Sequence, residues 1–386
     1  MVKPHGLLGT TFLVPLAETF QHLGATLVTL DMPHVAALAQ KTIGATGGNY
    51  ELFLALLGQD LKNTPAEVAL SYGGNQFLEE TPTGAVRNFL ADLGVPQLAF
   101  FTRGVEKLVP FMRGAAAARA NWSCTSLVAN SPDLLPADTA EPRSFYLPPG
   151  TNPRLFHPLD DRPEATADAV FVGSFTIWRA TVLAHLAETL PLKVYGDWRF
   201  KLFGGLEACW HEPVDYFSAV NGVYAAARCV LDVPVEPGLE RISVRVFDAL
   251  AGGNPAVAPR SGLLDACLAE GAEYIGYAPV DPDNNKLAVA YAALNQRMRE
   301  GAVLPLGAIA QEFSALANAA EAQAQKIAAA VRRLLDGPSP RAVADAGREC
   351  VMAQHLWEHR IPRLLDIALG GEPVAEDASR IMGAAR

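Results

Sequence analysis

Short runs of apolar and β-branched residues alternate along the first part of the chain with stretches whose apolar positions recur at helical spacing. Residues 26–30, 68–71, 97–101, 126–129 and 144–147 have the first texture and predict buried strands of a parallel sheet. Residues 16–23, 50–61 and 81–93 have the second; Asn49 is placed to cap one of these helices and Pro82 to open another. Beyond residue 168 the alternation resumes. Strands are expected at 169–172, 192–195, 229–235, 255–258 and 273–277, and helices at 178–190, 216–227 and 263–270. From residue 284 the pattern is almost wholly helical, with an alanine-rich stretch at 309–335 and a last amphipathic block at 355–369 that contains Pro362. Residues 370–386 read as a loose tail. Alternation of this kind predicts an α/β protein.

The stretch with most chemical content lies between the strands expected at 229–235 and 255–258. Ser243 is a natural N-cap, Val246, Phe247, Leu250 and Ala251 recur at helical spacing, and Gly252-Gly253 ahead of Pro255 stops the helix. The entrance of such a helix offers unpaired N–H groups and the positive end of its dipole, which suits an anion such as pyrophosphate. Glu240 precedes the helix, Asp248 lies inside it, and Arg241 and Arg245 are near enough in sequence to offset charge. A structural ion pair of Arg245 with Glu240 or Asp248 is the competing reading, and Glu240 as an exposed loop carboxylate is another. Gly173-Ser174 follows a predicted strand, where a glycine allows close approach of a ligand and Ser174 can donate a hydrogen bond. Gly73-Gly74 holds the equivalent place after the strand at 68–71.

At 386 residues the chain exceeds what one hydrophobic core usually supports, so two domains are expected. The texture changes at Pro148-Pro149-Gly150, Pro153, Pro158 and Pro163, a polar passage with Asp160-Asp161 and one apolar pin, Leu155-Phe156. The expected plan is an α/β domain over 1–150, a linker over 151–168, a second α/β domain over 169–354, and a terminal helix and tail over 355–386. Ligands of open α/β sheets lie beyond the carboxyl ends of the strands, so a cleft between the domains is the expected site.

Composition narrows the chemistry. A net charge of −10 argues against nucleic acid as a partner, because phosphate-backbone binding needs a basic field. No apolar run is long enough to span a membrane. The five cysteines are widely spaced without a C-x-x-C pair, and the first residues read as a helix leading into a strand rather than a signal peptide, so a reducing cytoplasm is expected. The eight histidines form no ligand cluster; His355 and His359 lack the glutamate of an H-E-x-x-H site, and no metal is expected. Neither a phosphate-binding P-loop nor a G-x-S-x-G elbow occurs.

Several motifs then fall in a telling order: LPPGTNPRLFHP at 147–158, AVFVGSFTIWRATVLAHL at 169–186, KVYGD at 193–197, Tyr224 ahead of CVLDV, RVFDALAGGNPAV at 245–257, and QHLWEHR near the end. Together they resemble the glycosyltransferases related to spore maturation protein CgeB, which are similar to the retaining family 4 enzymes. The resemblance implies a GT-B fold, with two Rossmann-like parallel-sheet domains facing a central cleft and a terminal helix packing back towards the first. It implies transfer of a sugar from a nucleoside-diphosphate donor to an acceptor, with retention and without metal. By the same resemblance Glu240 and Arg245 are catalytic, Gly173, Ser174, Arg179, Ser243 and Asp248 hold the donor, and Gly73 and Gly74 lie on the acceptor side. Arg179 would meet the pyrophosphate, unless it is a surface arginine on an amphipathic helix; Arg199 and Lys201 are further basic candidates. The family spaces two glutamates as Glu240 and Asp248 are spaced, the second contacting the ribose; here the second acid is one methylene shorter. A GT-B nucleotide-sugar epimerase, a periplasmic-type binding protein and a non-catalytic GT-B partner are the alternative readings.

Overall fold

The computed structural model describes residues 7–27, 66–72, 78–80, 86–88, 90, 94–101, 125–129, 143–198, 206–238, 241–281, 285–299, 306–337 and 339–370. The chain divides into two units, one comprising Met1–Pro149 with Trp357–Arg386 and the other Gly150–Leu356.

The first unit opens with helix α1 (Leu7–His22), which begins well before the expected 16–23 and carries Pro15 inside it. The Thr19 hydroxyl donates to the Pro15 carbonyl at 2.8 Å. Strand β1 (Ala69–Tyr72) is followed by β2 (Leu78–Glu80) and β3 (Val86–Asn88), which pair antiparallel with Glu79 opposite Arg87. This pairing corrects the helix expected over 81–93, because Val86–Asn88 is a strand. Pro82 and Gly84 suit a turn as well as they suit a helix start, and pairing with a neighbouring strand outweighs a weak local propensity. Strands β4 (Gln97–Phe101), β5 (Thr125–Ala129) and β6 (Arg143–Tyr146) join β1 in a parallel sheet of order β1-β4-β5-β6. The C-terminal helix Trp357–Ala368 packs against α1, β4 and β5, burying Trp357, Ile361, Leu364 and Ile367 at helical spacing. The expected elements at 26–30 and 50–61 fall wholly or mostly outside the described residues.

The second unit has a larger sheet. Strand β7 (Ala169–Val172), helix α2 (Ile177–Ala187), β8 (Leu192–Tyr195), β9 (Trp210–His211), α3 (Val220–Ala225), β10 (Cys229–Leu231), α4 (Val244–Ala251), β11 (Ala256–Pro259), α5 (Gly262–Asp265) and β12 (Ile275–Tyr277) follow in turn. The strands are all parallel, in the order β12-β11-β10-β7-β8-β9. Helices α6 (Asn285–Arg299), α7 (Leu306–Glu312), α8 (Ser314–Leu335) and α9 (Pro340–Gln354) complete the unit. The expected strand at 229–235 leaves the sheet after Leu231, although residues 232–235 stay buried. Two-residue β9 is too short to leave a periodic signal in the sequence.

Helix α8 shows how the alanine-rich pattern acts. Leu316, Ala320, Ala324, Ile327, Val331 and Leu334 form its buried stripe, and the helix packs most extensively against α2. Small alanines allow that close approach, and α2 is accordingly buried nearly all round. Residues 150–168 belong to this unit, and Phe156 is fully buried between the rings of Tyr216 and Tyr224.

Two helical glycines are expected to respond in opposite directions to alanine. A Cβ on Gly347 of α9 would lie 2.3 Å from the Glu273 carbonyl and 2.7 Å from Leu250, whereas one on Gly222 of α3 would meet nothing within 4 Å. Gly347→Ala should lower stability by about 1–3 kcal/mol through overpacking, and Gly222→Ala should raise it by about 0.5–1 kcal/mol. Denaturant titration of both variants measures the contrast; equal signs would contradict the packing described.

Candidate functional site

The strand order reverses direction between β7 and β10. From β7 the chain builds outward to β8 and β9, and from β10 to β11 and β12. The carboxyl ends of these two strands therefore flank the topological switch point, where open α/β sheets take their ligands.

What the sequence delivers to that point is basic and tightly held. Strand β7 ends at Val172 and passes through Gly173-Ser174 to Thr176, which caps α2 by accepting from the Arg179 N–H. Ser243 caps α4 in the same way, accepting from the Arg245 N–H at 3.3 Å. Each cap thus places an arginine in the first turn of its helix. Arg245 donates from Nε to the Val172 carbonyl at 2.6 Å, and from Nη1 to Ser243 Oγ at 3.1 Å and to the Asp232 carboxylate in a short contact. Arg179 is almost fully buried and donates to the Val233 carbonyl at 2.9 Å and to the carbonyl and hydroxyl of Ser174 at 3.0 and 3.2 Å. Both guanidinium groups lie over the ring of buried Phe171, 5.1 Å away for Arg179 and 4.8 Å for Arg245. Such contacts contribute roughly 0.5–2 kcal/mol each when desolvated.

Gly173 is required by this packing. A Cβ there would lie 2.8 Å from both Arg245 Nη2 and the Phe171 ring, while one on Gly196, at the end of β8, would lie 2.1 Å from the Gly173 carbonyl. That carbonyl instead accepts from Trp198 Nε1 at 2.9 Å. Burial acts to lower the Arg245 pKa, but the facing Asp232, aided by Tyr224 and Tyr216, more than offsets it and the value is raised. The guanidinium stays charged. Two arginines and two capped helix entrances at one strand end favour an anion.

The structure therefore brings Gly173, Ser174, Arg179, Ser243 and Arg245 together. Arg245 pairs with Asp232, whereas the sequence had offered Glu240 or Asp248 as its partner. Arg179 is a buried residue, which answers the alternative of a surface arginine. Asp248 lies a turn further along α4, only 2% exposed, and accepts from the Thr151 hydroxyl at 2.6 Å and from the Tyr216 hydroxyl in a short contact. Burial pushes its pKa up to about 7, against the opposing effect of those two bonds and of Arg245. Burial likewise pushes the Tyr216 and Tyr224 hydroxyls well up. Glu240, Gly73, Gly74, Arg199 and Lys201 lie outside the described residues.

Sequence reasoning missed Asp232, Phe171, Tyr216 and Thr151. Asp232 had a usable signal, since a carboxylate directly after the apolar run Cys229–Leu231 marks the carboxyl end of a buried strand. Thr151 had none, because its partner is distant in sequence. Among the described residues no group of three or more histidines, cysteines or acids is placed to hold a metal ion, and no helix is long and apolar enough to cross a membrane.

A family model described as glycosyl transferase-like matches residues 179–303, which run from Arg179 through α4 and beyond the sheet. No curated protein matches the sequence. Among solved structures, a glycosyltransferase from Rickettsia africae is 12% identical, covering 96% of this chain and 98% of its own with a TM-score of 0.58. The Anabaena protein HepE in complex with UDP and glucose is 12% identical, covering 83% of each chain with a TM-score of 0.53. Sucrose-phosphate synthase from Thermosynechococcus elongatus is 15% identical, covering 83% of this chain and 78% of its own with a TM-score of 0.52. The fold is that of the GT-B glycosyltransferases, an α/β fold with a helical C-terminus.

Two outcomes test the geometry. Arg245→Met strands the buried Asp232 carboxylate and should lower stability by about 3–5 kcal/mol, much of it recovered when Asp232→Asn is added. Denaturant titration of the single and double variants checks this, and a loss under about 1 kcal/mol would show that the pair is not structural. Asp248 binds its proton more tightly in the folded chain (about 7) than in the unfolded one (about 4), so its contribution falls as pH rises between those values, by up to about 1.4 kcal/mol per unit. In Asp248→Asn the loss of stability from pH 5 to pH 8 should be smaller by roughly 2 kcal/mol. Unfolding curves across that range would overturn the assignment if the two proteins ran parallel.

Proposed function

We propose that this protein is a CgeB-like glycosyltransferase that moves a sugar from a nucleoside-diphosphate sugar to an acceptor, with the diphosphate seated at the switch point of the second unit. The observation that carries the reading is the convergence of Arg179, Arg245 and two capped helix entrances on the carboxyl ends of β7 and β10. The glycosyl transferase-like match over 179–303 supports it, since that stretch includes both arginines. The bound UDP and glucose of HepE favour a uridine donor for this chain as well.

In this reading the chemical demand is to stabilise a diphosphate as it departs. Groups already aimed and held before the reaction meet that demand best, because they need no reorganisation when charge develops. Arg245 is pinned by Val172, Asp232 and Ser243, and Arg179 by Val233 and Ser174, so both are pre-set. Each well-placed donor is worth about 2–4 kcal/mol in the transition state. Gly173 and Ser174 give the phosphates a close approach, and the resemblance supports a catalytic role for Glu240 and an acceptor role for Gly73 and Gly74. In this proposal the positive groups serve in place of a metal, and the resemblance to the family 4 enzymes supports retention at the anomeric carbon.

A panel of UDP, GDP, TDP and ADP should include one that raises the melting temperature, by the equivalent of about 2.7 kcal/mol at a hundredfold excess over Kd. The matching nucleotide sugars, read by product mass with the anomer assigned by NMR, should give transfer. Glu240→Gln should keep donor affinity and lose turnover by about 100-fold or more. Absence of stabilisation by all four nucleotides would sink the transferase reading.

A further inference from the structure

The acid inside α4 is engaged by the protein itself. Asp248 has both carboxylate oxygens engaged within the protein, Oδ1 by Thr151 and Oδ2 by Tyr216, at 2% exposure. Thr151 is the second residue of this unit, and its N–H donates to the His355 carbonyl at 3.0 Å, forming a bridge between Thr151 and Leu356, the last residue of the unit. The neighbour of Asp248 acts on the other strand of that bridge. Phe247 stacks on the His355 ring, with centroids 4.8 Å apart and planes 7° from parallel, and His355 Nε2 meets the Cys267 carbonyl at 3.1 Å. Two consecutive residues of α4 thus grip the two places where the chain enters and leaves the unit.

The rest of the 150–162 segment is fastened to the same face. Phe156 packs edge-on to Tyr216 and stacked with Tyr224, Asn221 Nδ2 donates to the His157 carbonyl at 2.8 Å, and Arg162 donates to the Gly253 carbonyl and to Asn254 beyond the end of α4. Helix α4 has only eight residues, too few to hold its own position by helix propensity. Its position must come from tertiary bonds, and Asp248 supplies the buried polar ones towards the entering segment.

We propose that Asp248, with Thr151 and Tyr216, is a positioning group that holds α4 in place so that Ser243 and Arg245 meet the donor diphosphate, and that its carboxylate does not itself contact the nucleotide. Its functional meaning rests on the donor-site reading above; its structural part does not. The shortening from glutamate to aspartate fits this role, since the shorter side chain stays within reach of Thr151 and Tyr216 beside its own helix.

The test is amide hydrogen exchange of residues 243–247 in the ligand-free protein, combined with UDP titration. Thr151→Val and Tyr216→Phe keep shape and remove one donor each, and each should speed exchange in 243–247 by roughly tenfold while β7 and β10 keep their protection. Asp248→Ala should do the same, adding Thr151→Val to it should change little more, and Asp248→Asn should restore most of the protection lost in Asp248→Ala. UDP affinity should fall by roughly three- to tenfold in Thr151→Val and Tyr216→Phe, although neither residue belongs to the proposed diphosphate site. The proposal is overturned if Thr151→Val and Tyr216→Phe match the wild type in exchange, or if they bind UDP normally while Asp248→Asn does not. If the wild type binds no nucleoside diphosphate, the donor reading has failed, and the exchange measurement still decides whether the tether exists.

Discussion

Everything at the carboxyl end of the second sheet depends on one buried ion pair, Arg245 with Asp232. Taking two charges out of water costs several kcal/mol each, and the attraction between them offsets that only when the remaining donors are satisfied. Here they are. The same guanidinium also bonds the end of β7 and the cap of α4, so a single side chain joins the two central strands to the helix that follows the second. The pair explains why glycine stands at 173 and why Phe171 is buried beneath two arginines.

Such a pair adds no more to stability than a well-packed hydrophobic cluster of equal volume. Its value lies in specificity of position. A charged group held by three fixed acceptors offers its field without moving, and a ligand that needs positive potential finds it already in place. The Rossmann-like strand order supplies the location, since two helix entrances can converge only where the direction of winding reverses. The glycosyl transferase-like match, over residues 179–303, includes both arginines at this end of the sheet.

A second network lies behind the first on the same helix. Thr151, Asp248 and Tyr216 join the entering segment to α4, while Phe247 and His355 join the departing one. Asp248 is buried enough to titrate near neutrality, yet it is held by two hydroxyl donors. Polar groups of this kind are costly unless fully paired, so they specify one arrangement over its neighbours. The passage that reads as a polar linker in sequence is, for the same reason, a strap: Phe156, His157 and Arg162 are each bonded or packed against the unit they introduce.

Most strands and helices of the second unit were legible in the chain because burial there is periodic. A strand buried on both faces must be apolar throughout, as at 169–172, and a helix against a sheet must repeat its apolar face, as at 316–334. Caps and stops are equally local: Ser243, Thr176 and Gly253, the last at φ +71°, act on residues a few positions away. What local pattern could not decide was pairing. The segment 81–93 looked helical, yet Val86–Asn88 pairs with Leu78–Glu80, a choice made by a neighbouring strand. Arg245 had two acids at close sequence spacing and took Asp232 instead, because the end of a parallel strand lies beside the start of the next helix in space. Asp248 found Thr151, 97 positions away. By itself the sequence determined which stretches of the second unit would be buried, where Ser243 and Gly252-Gly253 bound α4, and that basic groups would stand at helix entrances. Only the tertiary structure decided which charge meets which, because the energy of an ion pair or a buried hydrogen bond depends on distance in space, and folding brings together groups that the chain keeps apart.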